Sequence, residues 1–156
     1  MQIVLPMMLA AIAAAGITHA QNVVAEDDLG VAEKQPHLMA GEFYLMPATF
    51  ADRTIVFGDV VTLSYSGADS KATYYAKIAL VADSTRQISI EVDGQKVGSV
   101  SVSSNSLRTV TALIPKEALA DGKFELVVKK ESGPNAAVAN VKILSSSSKK
   151  LGPPAK

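Results

Sequence analysis

Few side chains in this sequence could carry out covalent catalysis. The chain has two histidines, His19 and His37, and no cysteine. His19 lies in an apolar segment at the start of the chain, so a Ser-His-Asp triad would have to recruit His37. Gly-x-Ser-x-Gly, His-Glu-x-x-His and glycine-rich phosphate loops are all absent from the sequence. A small hydrolase therefore ranks last among the functions considered.

Paired carboxylates are the other route to catalysis, because two of them can cleave a glycosidic bond. The acidic residues of the body mostly occupy predicted turns or outward strand positions, where carboxylates are solvated. They are Asp69, Asp83, Asp93, Asp121, Glu91 and Glu125. We predict that the protein is not an enzyme.

A metal ion would need oxygen ligands, since thiolates are missing. Glu42, Asp52 and Asp59 lie near the start of the predicted β domain, and oxygen ligands from loops suit calcium. Their spacing forms no motif, however, and capping or turn roles are favoured. We expect no cofactor, with a structural calcium ion at these three residues as the weaker alternative.

Aromatic side chains could hold a sugar ring by stacking on its apolar face. The chain has no tryptophan. Tyr75 is the best stacking candidate, since it falls on an outward strand position beside Lys77, and Tyr44 is the second. Cross-strand packing is the favoured alternative role for Tyr75. The predicted ligand-binding residues are thus Tyr75, Lys77 and Tyr44.

The elements that would position these residues are β-strands. From residue 41 to 145, apolar residues alternate with polar ones at period two, which is typical of sheets with one buried face. The residues predicted to face inward are Val61, Leu63, Tyr65, Ala72, Tyr74, Ala76, Ile78, Leu80, Ile88, Ile90, Val92, Val100, Val102, Phe124, Leu126, Val128, Val141 and Ile143. Seven or eight such strands predict an all-β, two-sheet antiparallel sandwich.

Two local features refine this prediction. Asp93-Gly94 indicates a hairpin. Because the inward positions on both sides are even-numbered, we expect a loop of three or five residues rather than a two-residue turn. Pro115 to Ala120 begins with proline and is followed by Gly122, which predicts one short helical turn.

The ends of the chain differ from this body. Residues 1–20 are apolar and uncharged and end in Thr18-His19-Ala20, which predicts a signal peptide, with a retained membrane anchor as the alternative. Residues 21–40 lack a sustained period and predict a linker or a weakly docked N-terminal arm. The serine-rich residues 146–156 predict a disordered tail. We expect a secreted, periplasmic or cell-surface protein with no membrane contact after cleavage.

Charge limits the partners further. Fifteen basic residues balance fifteen acidic ones, so the protein has no long-range field to attract nucleic acid. We therefore expect no nucleic-acid partner.

The strands from Tyr74 to Leu144 resemble a known family. The matching pieces are Tyr75 to Leu80, Ile88 to Gly98, Val110 to Ala120 with its Ile-Pro turn, Gly122 to Val128, and Ala139 to Leu144. Their order is similar to that of the galactose-binding-like jelly-roll domains appended to bacterial glycoside hydrolases. The resemblance implies a jelly-roll β-sandwich that often binds carbohydrate.

Two functions follow as hypotheses. The first is a non-catalytic module that binds a saccharide or cell-surface glycan. The second is a structural or adhesive subunit of a surface assembly or filament, which would engage itself or a surface protein by strand addition. In the second, the apolar pairs Val23-Val24 and Leu38-Met39 of the predicted arm would make the contacts. We favour the binding module.

Overall fold

The structure is a computed structural model that describes residues 21–39, 44–48 and 53–154. These residues form ten β-strands and two 3-10 turns, at Ala32–Lys34 and Lys116–Leu119. The strands are β1 (Asn22–Asp28), β2 (Tyr44–Ala48), β3 (Arg53–Gly58), β4 (Val60–Ser66), β5 (Tyr74–Ala82), β6 (Arg86–Val92), β7 (Gln95–Val102), β8 (Ser106–Leu113), β9 (Lys123–Ser132) and β10 (Ala136–Ser145). The predicted all-β class and the helical turn near 115–120 are confirmed. No helix in the described ranges is long and apolar enough to cross a membrane.

Two antiparallel sheets pack face to face. The six-stranded sheet has the order β2-β3-β10-β5-β8, and β1 also pairs with β10. The four-stranded sheet has the order β4-β9-β6-β7. One edge of β10 pairs with β5. Its other edge pairs with β3 along residues 136–138 and with β1 along residues 140–145. The first and last strands of the described residues are therefore neighbours.

The core lies between the two sheets and follows the period-two pattern. Every residue predicted to face inward is buried, with Tyr65 and Tyr74 at 1% and 0% exposure. Rings stack within this core, because the centroids of Tyr65 and Phe124 lie 5.0 Å apart. Alternation identified the core correctly because successive side chains of a strand point to opposite faces.

The prediction of an odd-length hairpin loop is wrong. Val92 pairs directly with Gln95, so Asp93 and Gly94 form a two-residue turn, and both have positive φ, 48° and 80°. The register then shifts between Ile90 and Glu91. A β-bulge in β7 thus absorbs the extra residue and keeps the even-numbered positions facing inward.

The prediction that residues 21–40 form a linker or weakly docked arm is also wrong for the described part. Residues 22–28 are strand β1, and residues 37–39 border β4, where the Met39 N–H donates to the Thr62 carbonyl. A bulge at Val24 turns both Val24 and Ala25 inward. Because of this break in the alternation and a buried aspartate, the period-two pattern does not predict strand β1.

The predicted disordered tail is partly ordered. Leu151 is 7% exposed, and its N–H donates to the Val24 carbonyl at 2.9 Å. Gly152 then exchanges backbone hydrogen bonds with Ser66 of β4. The tail therefore connects the edges of the two sheets. The predicted signal peptide, residues 1–20, lies outside the described residues.

Candidate functional site

The outer face of the six-stranded sheet presents side chains in rows, because the strand register places outward residues side by side. One row crosses β1, β10, β5 and β8 and is mostly apolar. We call it the apolar row, and it consists of Val23, Leu144, Tyr75 and Leu113. Val23 and Leu113 are 36% and 54% exposed, and the other two are half-buried. Four adjacent strands span roughly 14 Å, so the row offers an elongated apolar strip to solvent.

A shallow concavity of about 410 Å³ lies beside the apolar row. We call it the polar depression, and its lining consists of Glu26, Asp28, Lys77, Ala79, Thr109, Asn140 and Lys142. The Lys142 ammonium lies 3.3 Å from Glu26 Oε1, and the Asn140 amide donates to the same oxygen at 3.3 Å. Two carboxylates face two ammonium groups, so the depression offers both hydrogen-bond donors and acceptors without net charge.

Tyr75 and Lys77 connect these two features. They are consecutive outward residues of β5, with Tyr75 in the apolar row and Lys77 in the polar depression. Neither the Tyr75 hydroxyl nor the Lys77 ammonium makes a hydrogen bond or ion pair with any described residue. Both groups can therefore turn toward a ligand at little cost. Their role as ligand-binding residues remains a prediction.

Tyr44, the second predicted aromatic, lies elsewhere. It begins β2, and two strands separate β2 from β5. Tyr44 pairs with Phe57, which pairs with Ala137 at the start of β10, whereas Tyr75 pairs with Leu144 near its end. Seven positions along a strand correspond to roughly 23 Å. The structure therefore does not place Tyr44 beside Tyr75 and Lys77.

The three predicted calcium ligands do not form a site in the described residues. Glu42 and Asp52 lie outside those residues. Asp59 is exposed, and its carboxylate lies 2.8 Å from the Lys130 ammonium, which already balances its charge. No group of three potential ligands from histidine, aspartate and glutamate occurs in the described ranges. The structural calcium ion stays a prediction.

His37, the one histidine considered for a catalytic triad, is part of a buried polar cluster with Asp27 and Tyr65. Its Nδ1 lies 3.0 Å from Asp27 Oδ2, and its backbone N–H donates to Asp27 Oδ1 at 3.0 Å. The Tyr65 hydroxyl donates to Asp27 Oδ2 at 3.2 Å, and the two rings stack with centroids 4.6 Å apart. His37 and Asp27 are only 4% and 0% exposed. The imidazole therefore contacts the core rather than an open cleft.

Burial raises the pKa of the Tyr65 phenol well above its ordinary value, and the charge of Asp27 raises it further. Both effects favour the protonated phenol. Tyr65 thus remains a hydrogen-bond donor to Asp27 at neutral pH.

Most residues of the polar depression are not among the ligand-binding residues predicted from the sequence. Glu26 and Asp28 fall in the predicted linker or arm, and Asn140 and Lys142 fall in the last strand of the predicted sandwich. Their strands, β1 and β10, lie at opposite ends of the chain but pair in the sheet. The usable signal was the alternation in Asn140-Val141-Lys142-Ile143, which places the two polar residues on the outer face.

Comparison with solved structures shows the fold. A family 35 carbohydrate-binding module from an environmental isolate superposes with a TM-score of 0.58 at 18% identity, over 80% of this chain and 96% of that chain. A family 36 module in complex with calcium and xylotriose gives 0.53 at 15% identity, over 77% and 99%. A family 35 module from Cellvibrio japonicus Abf62 gives 0.53 at 11% identity, over 80% and 96%. No protein-family model matches the sequence, and no curated protein matches it significantly.

These comparisons define the class of architecture. The chain has the jelly-roll β-sandwich fold of carbohydrate-binding modules, and the sequence resemblance over residues 74–144 is confirmed at the level of fold. The three neighbours named above are binding modules. Because one fold can serve many functions, the function must be argued from the residues on the surface.

Proposed function

We propose that the protein is a non-catalytic module that binds a saccharide on the outer face of its six-stranded sheet. The single observation that carries this proposal is the position of Tyr75 and Lys77 on β5. An aromatic ring and an ammonium group, both without polar partners among the described residues, stand next to each other between the apolar row and the polar depression. A sugar has apolar ring faces and hydroxyl groups, so it suits such a junction.

The shape of the face supports an extended ligand. The apolar row crosses four strands, roughly 14 Å, and the polar depression runs alongside it. An oligosaccharide lying across the strands could stack one ring on Tyr75 while its hydroxyl groups reach Lys77, Asn140 and the Glu26 carboxylate. The similar fold of the family 36 module bound to xylotriose supports a saccharide ligand without identifying it.

We also propose that the protein is exported, on the basis of the apolar, uncharged residues 1–20.

Affinity electrophoresis in native gels tests this proposal. The gels would contain soluble xylan, galactan, mannan, β-glucan or pectin, and retardation by one polysaccharide is the expected result. Tyr75→Ala should abolish most of the retardation. Gln87→Ala, on the outer face of the four-stranded sheet, is the matched control and should migrate like the wild type. The proposal fails if no polysaccharide retards the protein, or if Tyr75→Ala is retarded as strongly as the wild type.

The same samples test the absence of catalysis. Incubation with the polysaccharide that retards the protein should release no reducing ends above a buffer control. Release that persists in purified protein and disappears on replacing a carboxylate of the polar depression, as in Glu26→Gln, would instead establish a glycosidase.

One observation favours the structural-subunit alternative. Within the described residues, strand β8 pairs with β5 alone, in a register without a bulge, and only Ala112 among its eight residues is buried. Long regular edge strands are sites of strand addition. The edges of β1 and β4 are covered instead. Leu151 bonds to β1, and Gly152 and residues 37–39 bond to β4. The apolar pairs of the predicted arm are thus already placed beside neighbouring strands, and β8 becomes the candidate contact.

Light scattering separates the two functions. A monomer that gains mass only with a polysaccharide supports the binding module. Self-assembly without any polysaccharide, removed by Leu107→Lys on the exposed side of β8, would support the structural subunit. Leu107 is 49% exposed, so this substitution should leave the fold intact.

A further inference from the structure

Strand β1 carries three consecutive acidic residues, Glu26, Asp27 and Asp28, with opposite environments. Asp27 is 0% exposed and lies between the sheets. Glu26 and Asp28 lie on the outer face, where they line both the polar depression and an adjacent concavity of about 460 Å³. Because side chains alternate along a strand, the orientation of Asp27 decides which two carboxylates reach the surface.

The sequence of β1 does not define this orientation by hydrophobicity. Its apolar residues Val23, Val24 and Ala25 are consecutive, and the bulge at Val24 breaks the alternation. A one-residue slip would exchange the two faces of a strand. Such a slip would bring Asp27 to the surface and turn Glu26 and Asp28 inward. Leu29, just beyond the strand, is the one large apolar residue in this segment whose burial favours the observed orientation of β1.

Hydrogen bonds to Asp27 stabilise the observed orientation of β1, in which Asp27 points inward. Its two oxygens accept from the His37 backbone N–H and the Tyr65 hydroxyl and contact the His37 ring. No lysine or arginine side chain in the described ranges contacts it. A buried carboxylate is costly unless hydrogen bonds satisfy it, and in the observed register the His37 and Tyr65 donors reach Asp27. A buried polar residue that fixes register is an established use of such groups.

We propose that Asp27 is a positioning residue that fixes the register of β1 and thereby places Glu26 and Asp28 in the saccharide-binding face. His37 and Tyr65 act through it, from the segment that borders β4 and from β4 itself. The part of this inference that concerns affinity rests on the proposed saccharide-binding function. The part that concerns register does not.

NMR of the full chain labelled with ¹⁵N and ¹³C tests the register directly. The wild type should show cross-strand contacts between Glu26 and Lys142 and between Asp28 and Asn140, the pairs of the observed register. Asp27→Ala should lose these contacts while those between β5 and β8 persist. Asp27→Asn, which keeps an acceptor and the side-chain shape, should restore them. Intact pairs in Asp27→Ala would overturn the inference.

Two further variants guard against simple destabilisation. Leu29→Ala removes apolar burial from the same segment and should lower the melting temperature while keeping the β1–β10 pairs. His37→Phe keeps a ring against Tyr65 but removes the Nδ1 contact, so it tests the inference even if Asp27→Ala does not fold. It should give weakened pair contacts or doubled resonances for β1. Unchanged β1 resonances in His37→Phe, or equal register loss in Leu29→Ala, would contradict a specific role for Asp27.

Binding provides the second readout. With the polysaccharide that retards the wild type, Asp27→Ala should bind about tenfold more weakly, as expected for the loss of one or two polar contacts. Asp27→Asn and Leu29→Ala should bind within about threefold of the wild type. If affinity follows melting temperature across the variants, the positioning role is wrong. If no polysaccharide binds the wild type, the proposed function fails while the NMR result still decides the register.

Discussion

The outer faces of the two sheets differ in how their polar groups are satisfied. On the four-stranded sheet, the Gln87 amide donates to Ser99 at 2.8 Å, and Lys96 lies 2.5 Å from the Glu131 carboxylate. On the six-stranded sheet, Glu26, Asn140 and Lys142 also bind one another, but Tyr75 and Lys77 have no polar partner in the described ranges and adjoin exposed apolar side chains.

This difference indicates different roles for the two faces. A face whose polar groups bind each other is complete in water, because a ligand would have to break those contacts first. A face with unengaged polar groups beside apolar surface gains contacts when a ligand covers it. The comparison therefore predicts that substitutions on the six-stranded sheet change binding and that matched substitutions on the four-stranded sheet do not.

The largest effect is expected for Tyr75→Ala. Loss of the ring should weaken saccharide binding by about tenfold to a hundredfold, which corresponds to about 1.4 to 2.7 kcal/mol. Isothermal titration calorimetry with the retarding polysaccharide measures this loss. Gln87→Ala should retain the wild-type affinity. Equal losses in both variants would remove the distinction between the faces.

The second-largest effect is expected for a substitution in the core between the two sheets, away from both outer faces. Tyr65→Phe removes the hydroxyl bond to Asp27 and should lower the free energy of unfolding by about 1 kcal/mol. Denaturation in urea at pH 7 provides the value. Because Phe keeps the ring stacks, a loss above about 3 kcal/mol would point to disrupted packing rather than a lost hydrogen bond.

The same residue gives a pH dependence. The pKa of Tyr65 is raised by burial and by Asp27, so above pH 10 the unfolded phenol loses its proton before the folded one. The native state then binds more protons, and stability falls as pH rises, by up to about 1.4 kcal/mol per unit. Tyr65→Phe should show a shallower decline between pH 10 and 11. An unchanged slope would contradict this account.

A smaller effect is expected for Lys77→Ala. An exposed ammonium that donates to a sugar hydroxyl should contribute about threefold to fivefold in affinity, or roughly 0.7 to 1 kcal/mol. Lys129→Ala, an exposed lysine on the four-stranded sheet, is the control for net charge. If both lysines affect affinity equally, nonspecific electrostatics rather than the site would explain binding.

The smallest effect is expected for Lys96→Ala. Its exposed, solvent-screened ion pair with Glu131 should leave the free energy of unfolding almost unchanged. The pKa of Glu131 is lowered mainly by its hydrogen bond with Lys96, so the variant should raise that pKa in an NMR titration. The stabilisation from this pair is present above the ordinary glutamate pKa and disappears as pH falls through the lowered value. An unmoved Glu131 pKa would mean that the pair does not persist in solution.

The sequence was informative where side chains alternate regularly. It identified the inward residues of the sandwich and the outward placement of Tyr75 and Lys77, because period two leaves only two faces to choose from. It was misleading where a bulge shifts that period. The extra residue in β7 allowed a two-residue turn at Asp93-Gly94, and the bulge at Val24 concealed β1.

The polar depression could not be found from the sequence for another reason. Glu26 and Lys142 lie at opposite ends of the chain, and only the pairing of β1 with β10 brings them together. Asp27 illustrates the same limit, since its burial depends on donors from His37 and Tyr65. A charged residue in an apparent linker gave no local sign that it would be enclosed between two sheets.

The most direct test of the central claim is an NMR titration of ¹⁵N-labelled protein with oligosaccharides of the retarding polysaccharide. The account predicts that shift changes concentrate on Tyr75, Lys77 and the outward residues of β10 and β1, while those of β6, β7 and β9 stay in place. Changes centred on the four-stranded sheet, or none at saturating saccharide, would contradict it.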